Sequence, residues 1–218
     1  MVVRTGEWIS EAWELVKADF WMHALVALIF AAVNGTGFGA LVYGPLTCGY
    51  YLMIMDKLRN PTRPLNLNGL GKGFDVFVEA FVAWLLIGLF TGLGILACFV
   101  GAIIASALLL FTYQLIMDRR LGFWDAISES YRMAAQNWFG FTLFVFLLGL
   151  LTGLISLLTC GVGYFVAFPL LHIATVLAYR DNFGLAEEQI APQSPMPQPP
   201  GPPPMAPPAP PSASPDAW

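Results

Sequence analysis

Three long stretches without a single Asp, Glu, Lys or Arg constrain this chain more than anything else in it. They are Phe20 to Met55 (36 residues), Ala80 to Met117 (38) and Met133 to Tyr179 (47). A bilayer core about 30 Å thick takes about 20 helical residues, so one span cannot use up any of these stretches. Two spans joined by a tight turn can. Turn chemistry interrupts each stretch, at Asn34-Gly35-Thr36-Gly37, at Cys98 to Gly101 and at Thr159 to Gly163. The spacing predicts an all-α integral membrane protein with six transmembrane helices arranged as three hairpins. The first two stretches are tight for a pair of spans. Either the spans thin the bilayer locally or each preceding segment lends a turn. A re-entrant pair that does not fully cross is the competing geometry.

All ten Lys and Arg fall on the side of the two termini and the two loops between hairpins, and the three hairpin tips carry none. The positive-inside rule counts these charges in short loops and puts both termini in the cytoplasm. No cleavable signal peptide is predicted, because Glu7, Glu11 and Glu14 stand where a basic leader would be. The first hydrophobic helix acts as its own insertion signal. With 57% hydrophobic and 11% charged residues and a net charge of -4, an ordinary soluble enzyme and a basic nucleic-acid-binding protein are both excluded.

The chain also repeats itself. Tyr51 to Lys57 reads YLMIMDK, and Tyr113 to Arg119, 62 residues on, reads YQLIMDR. A further 62 residues lead to Arg180, and Leu46, Leu108 and Leu170 fall in the same register. Ile9-Ser10-Glu11 returns as Ile127-Ser128-Glu129, and Asp19 aligns with Asn137. Three diverged units are expected, at about 5–60, 66–120 and 123–184, each an amphipathic interfacial helix followed by a hairpin. In Thr5 to Asp19 the acids Glu7, Glu11 and Glu14 share one helical face, and Trp8, Ala12, Leu15 and Val16 the other. Such lead-in helices suit the membrane interface, or they are helical extensions packed on one another.

Several motifs resemble a widespread group of bacterial integral membrane proteins of unknown function. They are Ile9 to Ala18 (ISEAWELVKA), Gly44-Pro45-Leu46, Asp118 to Ile127 (DRRLGFWDAI), Asn137-Trp138-Phe139-Gly140, Phe168-Pro169 and Ala178 to Gly184 (AYRDNFG). That group is itself distantly similar to the membrane domain of some glycerophosphodiester phosphodiesterases. The resemblance covers residues 5 to 185 and implies a multi-span fold in the bacterial plasma (inner) membrane. It brings no catalytic residues and no phosphodiesterase domain.

Charges inside a membrane are functional candidates by default, and here the apolar stretches hold none. His172 is the polar exception, read either as a relay or as a ring hydrogen-bonded to a neighbouring carbonyl. His23 lies far from it in sequence, so no metal-ligand spacing emerges. Cys98 and Cys160 near hairpin tips are placed for a bridge or serve as small apolar residues. Asp56-Lys57 and Asp118-Arg119 end their helices as a lipid or partner site, or simply as snorkelling charge. Together Asp56, Lys57, Asp118, Arg119, His172 and Arg180 form the candidate interface. The segment 191–218, which carries 13 of the 17 prolines, is expected to be a disordered cytoplasmic arm, acting as a spacer or as a polyproline ligand.

The functional expectation is a non-enzymatic multi-pass membrane protein, a scaffold or accessory module. The alternative is binding or transport of a lipid or small apolar solute in a groove between hairpins. An enzyme ranks behind both, because no nucleophile–base pair or metal cluster can be assembled. No cofactor is expected. The expected partners are the lipid bilayer and a protein or second copy of the chain, with no nucleic acid.

Overall fold

The computed structural model describes residues 3–36, 39–96 and 99–186, so Gly37, Cys98 and the Pro-rich segment 191–218 lie outside the described residues. Those described are helical, with no strand among them. The order is α1 Thr5–Ala18, α2 Phe20–Gly35, α3 Gly39–Arg59, α4 Asn68–Lys72 with a 3-10 turn Gly73–Val76, α5 Phe77–Leu96, α6 Phe99–Leu108, α7 Thr112–Arg119, α8 Phe123–Ala135, α9 Trp138–Leu158 and α10 Tyr164–Phe183.

Three helical stretches are long and apolar enough to cross a membrane: Asn68–Leu96, Val100–Arg119 and Trp138–Leu158. Helices α1 and α2 meet at 97° and add a fourth only if that bent pair is one span. Helices α3 and α10 have the length, at 21 and 20 residues, but each carries Pro, Thr and Tyr, and α10 also His172. The reason lies in their position. Both are enclosed by neighbouring helices, with Gly44–Tyr51 and Ala167–Leu170 buried. A helix surrounded by protein can carry polar groups that a lipid-facing helix cannot.

The lead-in segments differ among themselves. Helix α1 buries Trp8, Ala12 and Val16, and α8 buries Ala126, Ile127, Ser130 and Ala134, both at helical spacing. The segment before α5 is only the five-residue α4 and its 3-10 turn. Glycines 69, 71 and 73 weaken helix formation there. They also allow close approach: a β-carbon on Gly73 would overlap the Pro45 carbonyl oxygen and crowd the Gly49 nitrogen of α3. Asn137 starts α9 by accepting the Gly140 N–H at 3.2 Å, and Gly140 leaves room for that cap.

Three sets of helix contacts link successive parts of the chain. Helices α4 and α5 pack on α3, α8 and α9 pack on α6, and α1 and α2 pack on α10, which brings the last described helix against the first. At the centre, α3 touches both α7 and α10. Outside, α5 exposes Leu85, Leu89 and Leu93, and α9 exposes Leu143, Leu150, Leu154 and Leu157. A soluble monomer rarely leaves so much apolar surface uncovered.

Candidate functional site

The charged residues singled out in the sequence meet at one end of the helices. Asp118 is fully buried, and Arg59 Nη2 donates to its Oδ1. Its other oxygen accepts from the Tyr179 hydroxyl at 2.8 Å and from the Ala186 N–H at 2.9 Å. Arg59 also donates to the Ala186 carbonyl at 2.8 Å and to Asp56 at 3.2 Å, while its buried Nε has no partner among the described residues. Lys57 bonds Asp19 at 2.8 Å. Arg119 donates to the Phe183 carbonyl at 2.9 Å and lies over that residue's ring.

Arg180 completes the set from α10. Its Nη1 and Nη2 reach the two Glu11 oxygens at 2.6 and 3.0 Å, and its Nε reaches Asp181 at 2.9 Å. The Glu11 hydrogen bonds push the Arg180 pKa further above its ordinary value, so this guanidinium stays charged. A fork of this kind fixes geometry as well as charge. Asp56, Lys57, Asp118, Arg119 and Arg180 are therefore all engaged with protein groups. Of their partners, Glu11 and Asp19 stand at positions that the repeat also marks, whereas Arg59 and Tyr179 have no counterpart at the 62-residue spacing and were not singled out in the sequence.

His172 sits apart from this end, in a buried aromatic cluster. Its Nδ1 lies 2.8 Å from the Phe168 carbonyl, which can only accept, so Nδ1 carries the proton. The rings of Phe168, Tyr50 and Tyr51 stand 4.2, 5.6 and 5.6 Å from the His172 ring. His23 Nδ1 approaches the Tyr50 hydroxyl at 2.9 Å. The two histidines, distant in sequence, thus flank one tyrosine. Among the described residues no group of three or more His, Cys, Asp or Glu could hold a metal ion. Cys160 is exposed and Cys48 is buried, while Cys98, the other half of the expected bridge, lies outside the described residues.

A second feature was not visible in the sequence. Between α6 and α7 the helix breaks at Leu109–Phe111, and Ser130 of α8 spans the gap. Its Oγ accepts the Phe111 N–H at 3.1 Å and donates to the Leu108 carbonyl at 3.0 Å. Backbone groups freed by a break in an apolar setting need such a partner. Beside the break lies a cavity of about 360 Å³, lined by Phe90, Ala105, Leu108, Leu109, Ile127, Ser128 and Tyr131. Ionisable carboxylates and amines are missing from that lining; its polar atoms come from Ser128 and Tyr131 of α8.

Comparison of the chain with protein-family models, with curated proteins and with solved structures finds no match in any of the three.

Proposed function

We propose that this chain is a non-enzymatic multi-pass module of the bacterial plasma membrane, a scaffold or accessory protein with both termini in the cytoplasm. It belongs, on this reading, with the multi-span proteins that its motifs resemble. Six spans in three related hairpins are supported by the junctions of α3 with α4–α5, α6 with α8–α9 and α10 with α1–α2. The observation that carries the functional reading is the use made of the ionisable side chains. Asp118, Arg59, Arg180 and Glu11 are spent in contacts that hold helix ends together, as a frame requires. Arg59 and Asp118 also hold Ala186 from two sides, through its carbonyl and its N–H.

Native mass spectrometry after mild extraction tests this. A co-purifying protein in fixed ratio is the expected result, reduced when the chain is cut after Glu188. Protein that comes through every mild extraction without a partner would remove the scaffold reading.

A second reading, handling of a lipid or small apolar solute, is favoured by the cavity beside the α6–α7 break. A stoichiometric ligand that survives extraction would shift the assignment to it.

A further inference from the structure

We propose that the cavity between α5, α6 and α8 holds one acyl chain of a bilayer phospholipid, with the chain's ester end at Ser128 and Tyr131. The proposal rests on the second reading above, and it names the ligand that reading leaves open.

Chemistry selects the class of ligand. Apart from the two hydroxyl-bearing residues of α8, every lining residue is Phe, Ala, Leu or Ile. The α5–α6 side of the cavity offers no polar side chain to a polar ligand. The cavity, about 360 Å³, opens to the outside, since Phe90, Ser128 and Tyr131 in its lining are exposed. It is large enough for a folded length of hydrocarbon and has no charge to attract an ionic solute.

Position selects the source. Phe90 lines the cavity and is also exposed on α5, beside Leu89 and Leu93 on the same outward surface. The cavity is thus continuous with the apolar face that α5 turns away from the protein, and in a bilayer that face meets acyl chains. A chain entering sideways leaves lipid for a lining of the same polarity. Its gain is therefore packing and orientation rather than hydrophobic transfer.

Polar atoms then fix the register. Ser128 and Tyr131 sit on one face of α8, three residues apart, both exposed, and neither hydroxyl has a hydrogen-bond partner among the described residues. An ester carbonyl offers the acceptor that both lack. Glu129 and Arg132 of α8 pair with each other at 2.7 Å and are not part of the lining. The wall behind the ligand is held by Ser130, whose two bonds to the broken helix keep Leu108 and Leu109 in place.

The test uses the full chain reconstituted in phospholipid vesicles with two probes, a phospholipid carrying a diazirine at the end of one acyl chain and a diazirine-bearing alkane. Crosslinks are mapped by mass spectrometry. The proposal expects phospholipid crosslinks concentrated on Phe90, Ala105 and Leu109 and reduced about tenfold by Ala105→Phe, a loss of ~1.4 kcal/mol in occupancy. Ile127→Phe fills the same space from α8 and replaces Ala105→Phe should that variant lose its gel-filtration peak. The pair Ser128→Ala with Tyr131→Phe keeps the cavity and should lower the phospholipid signal while leaving the alkane signal unchanged. Phospholipid crosslinks spread evenly over the outer faces of α5 and α9, indifferent to the filling variants, would overturn the proposal. Alkane labelling of the cavity without phospholipid labelling would overturn it too, yet leave the apolar-solute reading standing. Labelling by neither probe would remove both.

Discussion

The indole N–H of Trp8 donates to Asp181 Oδ2 at 2.8 Å, joining residues 173 positions apart. Trp8 is 1% exposed and meets Phe144 of α9 edge-on at 5.1 Å. Beside it Glu11 and Arg180 form their fork. One turn of α1 is thus fastened to the charged end of α10 by an aromatic plug, a charge-assisted hydrogen bond and an ion pair.

Replacing that plug separates its two contributions. Trp8→Phe keeps a ring against Phe144 and removes the hydrogen bond to the carboxylate, a loss of about 1.5–3 kcal/mol. Trp8→Ala also opens a cavity and costs about 3–5 kcal/mol. Thermal unfolding in detergent should rank the proteins wild type, Trp8→Phe, Trp8→Ala. Equal melting of wild type and Trp8→Phe would show that the bond to Asp181 contributes nothing.

Asp118 is the most enclosed charge in the cluster, and its loss leaves the Arg59 guanidinium without a counter-ion. Asp118→Asn should destabilise by about 3–5 kcal/mol, whereas Asp118→Asn combined with Arg59→Met should cost less than the two single changes together. A double-mutant cycle on melting temperature reads this directly. Strict additivity would mean that the two side chains do not interact.

The close crossing of α3 by the 3-10 turn makes a sharper prediction than its glycine content alone. Gly73→Ala places a methyl into the Pro45 carbonyl, whereas Gly71 has nothing within 4 Å of its β-position. Gly71→Ala should therefore be neutral or stabilising by up to about 1 kcal/mol, as an added alanine in a helix is. Gly73→Ala should instead lower expression of folded protein and its melting temperature. The contrast between the two neighbours is the measurement.

These features differ in how far the sequence announced them. The apolar faces of α1 were legible, since Trp8, Ala12 and Val16 keep helical period and are buried. The turn at Asn34–Thr36 and that at Thr159–Gly163 stand where their glycines placed them, as α2 ends at Gly35 and α9 at Leu158. On α8 the aromatic Tyr131 is 55% exposed, while the hydroxyl-bearing Ser130 is buried. A polar residue type hides a packing position from any hydrophobic pattern. The break at Leu109–Phe111 was equally silent, because Leu108-Leu109-Leu110-Phe111 is as apolar as an unbroken span. The His23–Tyr50 contact joins α2 to α3 through a hydroxyl, and no spacing rule connects an imidazole to a phenol 27 residues on.

Ser130 tests that hidden role. Ser130→Ala leaves the Phe111 N–H without its acceptor and should cost about 1–3 kcal/mol, the penalty of an unsatisfied buried donor. Hydrogen exchange should rise at Phe111 and its neighbours, while the exposed Ser128→Ala changes neither stability nor exchange there. Unchanged protection in Ser130→Ala would mean that water, not the serine, satisfies the break.

The proposed orientation can be checked with thiol chemistry. In a Cys98→Ala background, exposed Cys160 at the turn after α9 should react with a membrane-impermeant maleimide added outside intact cells. Arg63→Cys, in the loop after α3, should react only once the membrane is opened. The reverse pattern would invert the topology.

Packing α1 against α10 also sets a timetable for biogenesis. The residues that receive Trp8 and Glu11 are among the last of the described chain to leave the ribosome. Helix α1 is synthesised first and seated last. Until α10 is made, the indole and carboxylate of α1 have no docking place. A nascent chain stalled before Arg180 therefore leaves an amphipathic helix whose indole and carboxylate lack the partners they have in the folded chain.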